Sequence, residues 1–135
     1  MKTPLLVGVI GVGALGRHHA RHLAALEGVR LVGVYDANPE TAARVGAEVG
    51  VPAVAEVDTL LGQVKAVSIA VPTSFHGEVG LRALERGCAV LMEKPLAATL
   101  AEADALVAAA DQAGLVLHVG QIERFNRAVR AALPA

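Results

Sequence analysis

Short apolar runs rich in Val, Ile and Leu alternate along the chain with longer stretches of Ala and Leu that carry charged residues. The short runs are typical of buried strands, and the longer stretches are typical of amphipathic helices. Strands that alternate with helices in this way form a parallel sheet covered on both faces. The pattern predicts strands near residues 5–10, 31–35, 53–55, 66–71, 89–93 and 115–119, and helices near 14–27, 39–49, 75–86, 99–113 and 123–133.

Several local signals support this assignment. The run at residues 66–71 is apolar on both of its faces, which predicts a central strand. Thr99, followed three residues later by Glu102, predicts a capping box, and Ser74 is a second predicted N-cap. Four predicted helices are followed by a glycine that could end them. The chain is therefore predicted to form one α/β domain with a doubly wound parallel sheet.

The turn between the first strand and the first helix reads Gly-Val-Gly-Ala-Leu-Gly at residues 11–16. Such spacing is weak evidence alone because 14 of the 135 residues are Gly, but a strand, a glycine turn and a helix in succession indicate a Rossmann dinucleotide site. Gly11 would permit the tight turn, Gly13 would let a pyrophosphate approach the backbone, and Gly16 would let the helix pack closely. The anion would lie at the helix N-terminus. The predicted cofactor contacts here are Gly11, Gly13, Ala14, Leu15 and Gly16.

Asp36 stands at the end of the second predicted strand, where an acidic residue is expected in such a site. Its carboxylate can accept hydrogen bonds from both hydroxyls of an adenosine ribose and would repel the additional phosphate of NADP. Ala37 and Asn38 offer no cation for that phosphate, and Arg44 is the only nearby candidate. NAD is therefore predicted over NADP, with Asp36 and Ala37 beside the adenosine. The alternative is that Asp36 serves as an N-cap or turn residue before Pro39.

Composition limits the classes of function. An apolar content of 54% with 2% aromatic residues suits an α/β domain, and a net charge of −1 opposes a nucleic-acid surface. The longest nearly continuous apolar run, residues 5–15, is too short to span a bilayer, so we expect no membrane partner. The single Cys88 is interpreted as a small apolar residue in a reducing cytoplasm.

Four further segments carry a resemblance to a known family. They lie at residues 16–21, 71–76, 90–96 and 119–126 and read Gly-Arg-His-His-Ala-Arg, Val-Pro-Thr-Ser-Phe-His, Val-Leu-Met-Glu-Lys-Pro-Leu and Val-Gly-Gln-Ile-Glu-Arg-Phe-Asn. In order and spacing they resemble the N-terminal half of the Gfo/Idh/MocA oxidoreductases, over essentially the whole chain. The resemblance implies an enzyme that uses NAD or NADP to oxidise or reduce a hydroxyl, usually on a sugar, a cyclitol or a nucleotide sugar.

The triplet Glu93-Lys94-Pro95 at a strand end is the most specific element of the resemblance. It implies that Lys94 contacts the reacting hydroxyl and that Glu93 lies beside the nicotinamide ribose. A lysine can accept the hydroxyl proton if a neighbouring positive ring and partial burial favour its neutral form, whereas an arginine cannot. Pro95 restricts Lys94 to an extended conformation and permits a cis bond. The alternative for Lys94 is an ordinary solvated strand end.

The histidines allow more than one interpretation. The resemblance implies that His76 starts a helix near the nicotinamide, and the alternative is an ordinary polar residue at a helix N-terminus. His18, His19 and His22 are interpreted as a polar helix face, and we predict no metal site because no Cys or third convergent ligand is evident. The further cofactor contacts that the resemblance implies are Val71, Pro72, Thr73, His76, Glu93, Lys94 and Gln121.

The resemblance also implies a division of the chain. Residues 1–120 are predicted to form the NAD(P)-binding domain, and residues 121–135 to begin the connection to a C-terminal α+β domain. In the family that domain supplies the substrate pocket, a catalytic histidine and usually the oligomer interface. We expect it, or a homo-oligomer partner, to cover an apolar stripe at helical spacing, and we expect the chain to be part of a larger enzyme or half of a two-chain assembly. The stripe consists of Ile122, Phe125, Val129 and Leu133.

The leading hypothesis is a cytoplasmic NAD-dependent oxidoreductase acting on a small-molecule sugar or cyclitol. Residues 122–126 are somewhat like those of family members that act on nucleotide-linked amino sugars. One alternative is a non-catalytic NAD(H)-binding sensor or accessory subunit, which would have no need of a proton acceptor such as Lys94. Another is a coenzyme A-binding domain, which Asp36 disfavours because a carboxylate would repel a 3′-phosphate.

Overall fold

Five parallel strands form one sheet in the part of the chain that the structure, a computed structural model, describes, residues 2–134. The strands are β1 (Leu5–Ile10), β2 (Val29–Tyr35), β3 (Ala66–Ile69), β4 (Ala89–Glu93) and β5 (Leu117–Gly120). The helices in the same residues are α1 (Gly16–Ala25), α2 (Pro39–Val49), α3 (Val57–Leu61), α4 (His76–Glu85), α5 (Leu100–Ala113) and α6 (Arg127–Ala132). Short 3₁₀ turns lie at Thr73–Phe75 and Ile122–Phe125.

The strand order β2-β1-β3-β4-β5 reverses direction at β1, which pairs with β2 on one side and with β3 on the other. All carboxyl ends of the strands therefore meet at one edge of the sheet, with a topological switch point between β1 and β3. Ligands of open α/β sheets bind at such a point. The predicted doubly wound α/β fold and the central position of β3 are confirmed.

One predicted strand is reduced to a single bridge. Residues 53–55 contribute only the parallel pairing of Ala53 with Val34 of β2. The segment is too short to form a strand because Pro52 has no N–H to donate and α3 begins at Val57. The sequence pattern did not predict α3, whose five residues are too few to display a helical period.

Side-chain caps mark the starts of α2, α5 and α6. The predicted capping box of Thr99 and Glu102 is present at the start of α5. Ser74 is not a cap, because it lies within the 3₁₀ turn and no side chain caps α4. The helix predicted at residues 123–133 is divided into a 3₁₀ turn and α6, since the Asn126 side chain accepts from Ala128 N–H and caps α6.

The two faces of the sheet carry separate apolar cores. One core packs β3 and β4 against α3, α4 and α5, and it includes Leu60, Leu84, Met92 and Leu106. The other packs β1 and β2 against α1 and α2, and it includes Val9, Ala20, Val34 and Val45. Helices thus cover both faces, as the alternation of patterns predicts.

The described residues leave two apolar surfaces open. One is a groove of about 290 Å³ beside α1, on the sheet face that α4 and α5 do not cover. The groove is lined among others by Leu5, Leu23, Leu26, Leu91, Val116 and His118. The other is the predicted stripe, which is exposed as expected, with Ile122 and Phe125 at 74% and 71%.

Within residues 2–134 no helix has both the length and the apolar character that crossing a membrane requires.

Candidate cofactor site at the carboxyl edge of the sheet

The glycine turn after β1 has the geometry that its sequence predicts. Gly11 has φ +84°, and a side chain there would meet the backbone of Ala70 and Val71 at 2.8 Å. A Cβ at Gly16 would lie 1.7 Å from the Gly11 carbonyl oxygen, so α1 packs on the turn at a distance that only glycine allows. At Gly13 no atom lies within 4 Å of the Cβ position. The turn is therefore tight on its inner side and open at Gly13.

The N-terminus of α1 is free to receive an anion. Within residues 2–134 no side chain caps the helix, and the first turn of α1 has no acidic residue. Among the described residues, the N–H groups of Gly13, Ala14 and Leu15 have no hydrogen-bond acceptor. Unpaired N–H groups and the helix dipole both favour a negative group at this position. The donor set and the open surface at Gly13 fit a pyrophosphate.

Asp36 follows β2 and lies against the glycine turn. Its Oδ2 accepts from Val12 N–H at 2.9 Å, and its Oδ1 accepts from Asn38 N–H at 2.9 Å. Of the two alternatives for Asp36, the N-cap is wrong, because Asn38 caps α2 by accepting from the N–H groups at positions 40 and 41. The turn residue is present, since Asp36 accepts from the N–H two residues on. Each Asp36 oxygen retains a lone pair for a further donor. We call the glycine turn and Asp36 the Asp36 end of the site.

Glu48 of α2 forms an ion pair with Arg21 of α1. The hydrogen bond from Arg21 lowers the pKa of Glu48, and the charges of Arg17 and Arg44 lower it further. Arg44, the candidate cation for an NADP phosphate, is thus one of the charges that act on Glu48. Arg17 has a buried Nε that makes no hydrogen bond among the described residues.

His19 joins three elements at the other side of the switch point. Its Nε2 lies 2.8 Å from Glu93 Oε1, at the end of β4, and its Nδ1 lies 2.6 Å from Ser68 Oγ in β3. Ser68 is 2% exposed, and the side chains of His19 and Glu93 are 19% and 17% exposed. The interpretation of His19 as part of a polar helix face is therefore wrong, whereas His18 and His22 are exposed.

Lys94 follows Glu93 at the edge of the sheet and is exposed. The Lys94–Pro95 bond is cis, as the sequence allows. Glu93 Oε2 accepts from Lys94 N–H at 3.2 Å, so the glutamate binds His19 with one oxygen and the backbone of Lys94 with the other. Residues 2–134 do not provide the partial burial expected for the Lys94 ammonium. We call Ser68, His19, Glu93 and Lys94 the Lys94 end.

His76 is the first residue of α4 and is 1% exposed. Its Nδ1 lies 2.8 Å from the Pro95 carbonyl oxygen, and its Nε2 lies 2.9 Å from the Val71 carbonyl oxygen. The ring is enclosed, so in this conformation it is not available to touch a bound molecule. His76 instead joins the loop after β3 to the loop after β4, which corrects the expectation of a direct cofactor contact.

The remaining predicted contacts lie at the same edge. Ala37 is exposed beside Asp36, and the predicted contacts that follow β3 and β5 are at least partly exposed. These contacts are Val71, Pro72, Thr73 and Gln121.

The sequence patterns did not predict the contact between Ser68 and His19. The available signal was a single polar residue, Ser68, in an otherwise apolar central strand.

This edge can be compared with known proteins. A family model described as "Oxidoreductase family, NAD-binding Rossmann fold" matches residues 5–121. The chain belongs to this family, the Gfo/Idh/MocA oxidoreductases. The resemblance predicted from the sequence motifs is thus confirmed, and so is the expectation of an NAD-binding Rossmann fold.

Characterised relatives extend the comparison. The chain is 47% identical over 123 residues to UDP-N-acetylglucosamine 3-dehydrogenase from Acidithiobacillus ferrooxidans, covering 91% of this chain and 39% of that protein. It is 33% identical over 132 residues to scyllo-inositol 2-dehydrogenase (NAD(+)) from Bacillus subtilis, covering 95% of this chain and 39% of that protein. The chain therefore spans about two fifths of the length of these relatives.

Solved structures agree with the fold. A structure of the Acidithiobacillus ferrooxidans UDP-N-acetylglucosamine 3-dehydrogenase matches with a TM-score of 0.91 and 45% identity, over 96% of this chain and 42% of that one. GenD2 from gentamicin A biosynthesis, solved in complex with NAD, matches with a TM-score of 0.84 and 32% identity, over 89% of this chain and 35% of that one.

Proposed function

We propose that this chain is the cofactor-binding part of an NAD-dependent oxidoreductase acting on a secondary hydroxyl of a sugar, cyclitol or nucleotide sugar. The observation that carries the proposal is the convergence of the open glycine turn, Asp36 and Lys94 at one sheet edge. NAD, when bound, supplies a nicotinamide ring that exchanges a hydride with the carbon bearing the hydroxyl. The residues of this chain bind and orient the cofactor and accept the proton of the hydroxyl.

At the Asp36 end, the N–H groups of residues 13–15 bind the pyrophosphate. Asp36 accepts from the ribose hydroxyls with the lone pairs that its bonds to Val12 and Asn38 leave free. A phosphate on that ribose would place negative charge against a carboxylate already fixed by two backbone donors, which is unfavourable without a cation. Because Ala37 and Asn38, which follow Asp36, offer no cation for such a phosphate, we propose NAD as the preferred cofactor.

At the Lys94 end, Glu93 accepts from the nicotinamide ribose, and Lys94 Nζ receives the proton of the substrate hydroxyl. Lys94 is exposed at the edge, so a substrate domain and a bound cofactor can enclose it together, and this enclosure favours the neutral amine that accepts the proton. Val71, Pro72, Thr73 and Gln121 form the adjoining surface. His76 positions the loops after β3 and β4 from beneath this surface.

For the substrate we propose a nucleotide-linked amino sugar as the first candidate. The relative at 47% identity is a UDP-N-acetylglucosamine 3-dehydrogenase. Residues 122–126 are also somewhat like those of family members that act on nucleotide-linked amino sugars. We expect the substrate pocket in a C-terminal α+β domain. Reduction of NAD by the full-length protein, compared for UDP-N-acetylglucosamine, scyllo-inositol and free glucose, tests this choice. Turnover with scyllo-inositol alone would contradict it.

The proposed cofactor is tested by titrating the protein with NADH and, separately, with NADPH while nicotinamide fluorescence is followed. We expect saturable binding of both nucleotides with NADH the tighter, and we expect ADP to compete because it occupies the Asp36 end. Failure of both nucleotides to bind would contradict the proposed function. A preference for NADPH would leave an oxidoreductase but contradict the role of Asp36.

A further inference from the structure

A histidine from α1 reaches across the sheet to the end of β4, which a residue on a solvated helix face does not do. His19 bonds with Glu93 through Nε2 and with Ser68 through Nδ1, and these partners are 74 and 49 residues away in sequence. His18 and His22 on the same helix are exposed. The network is therefore specific to His19.

The carboxylate fixes the direction of the hydrogen bond between His19 and Glu93, and the protonation state of the ring fixes the direction of the one between His19 and Ser68. An ionised carboxylate only accepts, so His19 Nε2 carries a proton and donates to Glu93 Oε1. A neutral ring then accepts at Nδ1, and the buried Ser68 hydroxyl donates to it. Lys94 N–H donates to the second oxygen of Glu93. Both oxygens of Glu93 are thereby held, and the carboxylate plane has one orientation.

We propose that His19 is a positioning residue for the nicotinamide half of the cofactor and that it acts through Glu93. This inference rests on the proposed function. His19 lies one turn into the helix whose N-terminus faces the pyrophosphate, so a single helix orients the anion site and the glutamate that receives the nicotinamide ribose. Ser68 fixes the ring, and the ring fixes Glu93.

Two substitutions separate this role from a merely structural one. An asparagine amide ends near the position of Nδ1 in the imidazole, so His19→Asn keeps a partner for Ser68 and loses the bond to Glu93. A glutamine amide extends to the position of Nε2, so His19→Gln can still donate to Glu93. His22→Gln, on the exposed side of the same helix, is the matched control.

The readout is binding of NADH and of ADP, which lacks the nicotinamide ribose. We expect His19→Asn to weaken NADH binding about tenfold, the scale of one hydrogen bond to a charged group, and to leave ADP binding within about twofold. We expect His19→Gln to retain most of the NADH affinity and His22→Gln to match the unmodified protein. Thermal melting of each variant identifies any that fails to fold.

A second comparison keeps the inference falsifiable if asparagine also loosens the helix. In a Glu93→Ala background, His19→Asn should cause no further loss of NADH affinity, because its effect passes through Glu93. Additive losses, or equal losses of NADH and ADP affinity, would overturn the inference while leaving the proposed function intact. Failure of the unmodified protein to bind NADH would overturn the proposed function, and this inference with it.

Discussion

At the Asp36 end, the bond between Val12 and Asp36 joins residues 24 apart, within a single β1–α1–β2 unit. At the Lys94 end, His19 reaches partners 49 and 74 residues away, in two other strands. The first arrangement is a local turn whose residue types are dictated by steric limits and backbone donors. The second exists only when the helix and the sheet are fully assembled.

Binding of an anion and alignment of a reacting group therefore depend on different structural features. A short glycine turn is sufficient to receive an anion, since it requires only close packing at Gly16 and open backbone at Gly13. Alignment of a reacting group requires side chains that are fixed in orientation, and such fixation comes from long-range hydrogen bonds to buried partners such as Ser68. Variants at the two ends should therefore fail in different ways.

The largest effect is expected from Gly16→Ala at the Asp36 end. The added Cβ would lie 1.7 Å from the Gly11 carbonyl oxygen, so α1 must move away from the turn. We expect a loss of about 3 kcal/mol or more of unfolding free energy, measured by chemical denaturation. Gly13→Ala, where the Cβ meets open space, is the control and should melt like the unmodified protein. Equal stability of the two variants would refute the close packing.

Lys94→Met at the other end should act on chemistry without affecting the fold. We expect turnover to fall at least ~100-fold, in line with the loss of a general base, while NADH binding stays nearly intact. The measurement is steady-state kinetics of the full-length enzyme with whichever substrate it turns over. Lys65→Met, at the opposite edge of the sheet, is the matched control. Full turnover by the Lys94 variant would exclude Lys94 from the reaction.

His76→Leu tests the connection beneath the Lys94 end. A neutral imidazole carries one N–H and donates to one of the two facing carbonyls, of Val71 or Pro95, at a time. The substitution roughly preserves volume but leaves neither carbonyl with a ring N–H to accept from. We expect a loss of about 2 kcal/mol in unfolding free energy, since burying unpaired polar groups is costly. His22→Leu, at an exposed position, should cost far less. A His76 variant as stable as the His22 variant would show that these hydrogen bonds do not hold the loops.

The double variant Asp36→Ser with Ala37→Arg should convert the Asp36 end from NAD toward NADP. The change removes the repelling carboxylate and adds a cation for the phosphate. We expect the ratio of NADPH to NADH affinity to rise about tenfold or more, measured by fluorescence titration. Asp111→Ser, far away on the exposed side of α5, should leave the ratio unchanged. An unchanged ratio in the double variant would refute the role assigned to Asp36.

The smallest effect is expected outside both ends, at the Asp58–Arg82 ion pair between α3 and α4. The hydrogen bond from Arg82 lowers the pKa of Asp58 below its unfolded value of about 3.9. Its stabilisation is therefore fully present above about pH 4 and disappears as the pH falls through the folded pKa. Asp58→Asn should lower the melting temperature slightly at neutral pH, and this gap should narrow as the acidic pH falls below about 4. A gap that persists at the acidic pH would contradict this assignment.

The distinction between local and long-range contacts also explains which features could be predicted from the sequence. Gly11, Gly16 and the Thr99 capping box follow from local steric and hydrogen-bonding rules, so they were recognisable as patterns. The prediction of a strand at residues 53–55 is wrong because Pro52 and α3 limit the pairing of this segment with β2. The helix α3 is too short to produce a periodic pattern in the sequence. Asn126 divided a predicted helix because its side chain caps α6.

The long-range parts of the site could not be derived in this way. His19 has the sequence context of a solvated helix residue, and only the packing of α1 over β3 and β4 shows that it faces Ser68 and Glu93. The enclosure of His76 likewise depends on two loops that are separate in sequence. The roles expected of Glu93 and Lys94 follow from the family resemblance, whereas the supporting contacts of His19 and Ser68 could not be predicted in that way.

A crystal structure of the protein with NAD bound would show whether one dinucleotide spans both ends of the carboxyl edge. We expect hydrogen bonds from the adenosine ribose hydroxyls to Asp36, with the pyrophosphate at the N–H groups of residues 13–15. We also expect the nicotinamide ribose at Glu93, beside Lys94 Nζ. NAD bound in the reverse direction, or away from this edge, would be incompatible with the roles proposed for Asp36 and Glu93.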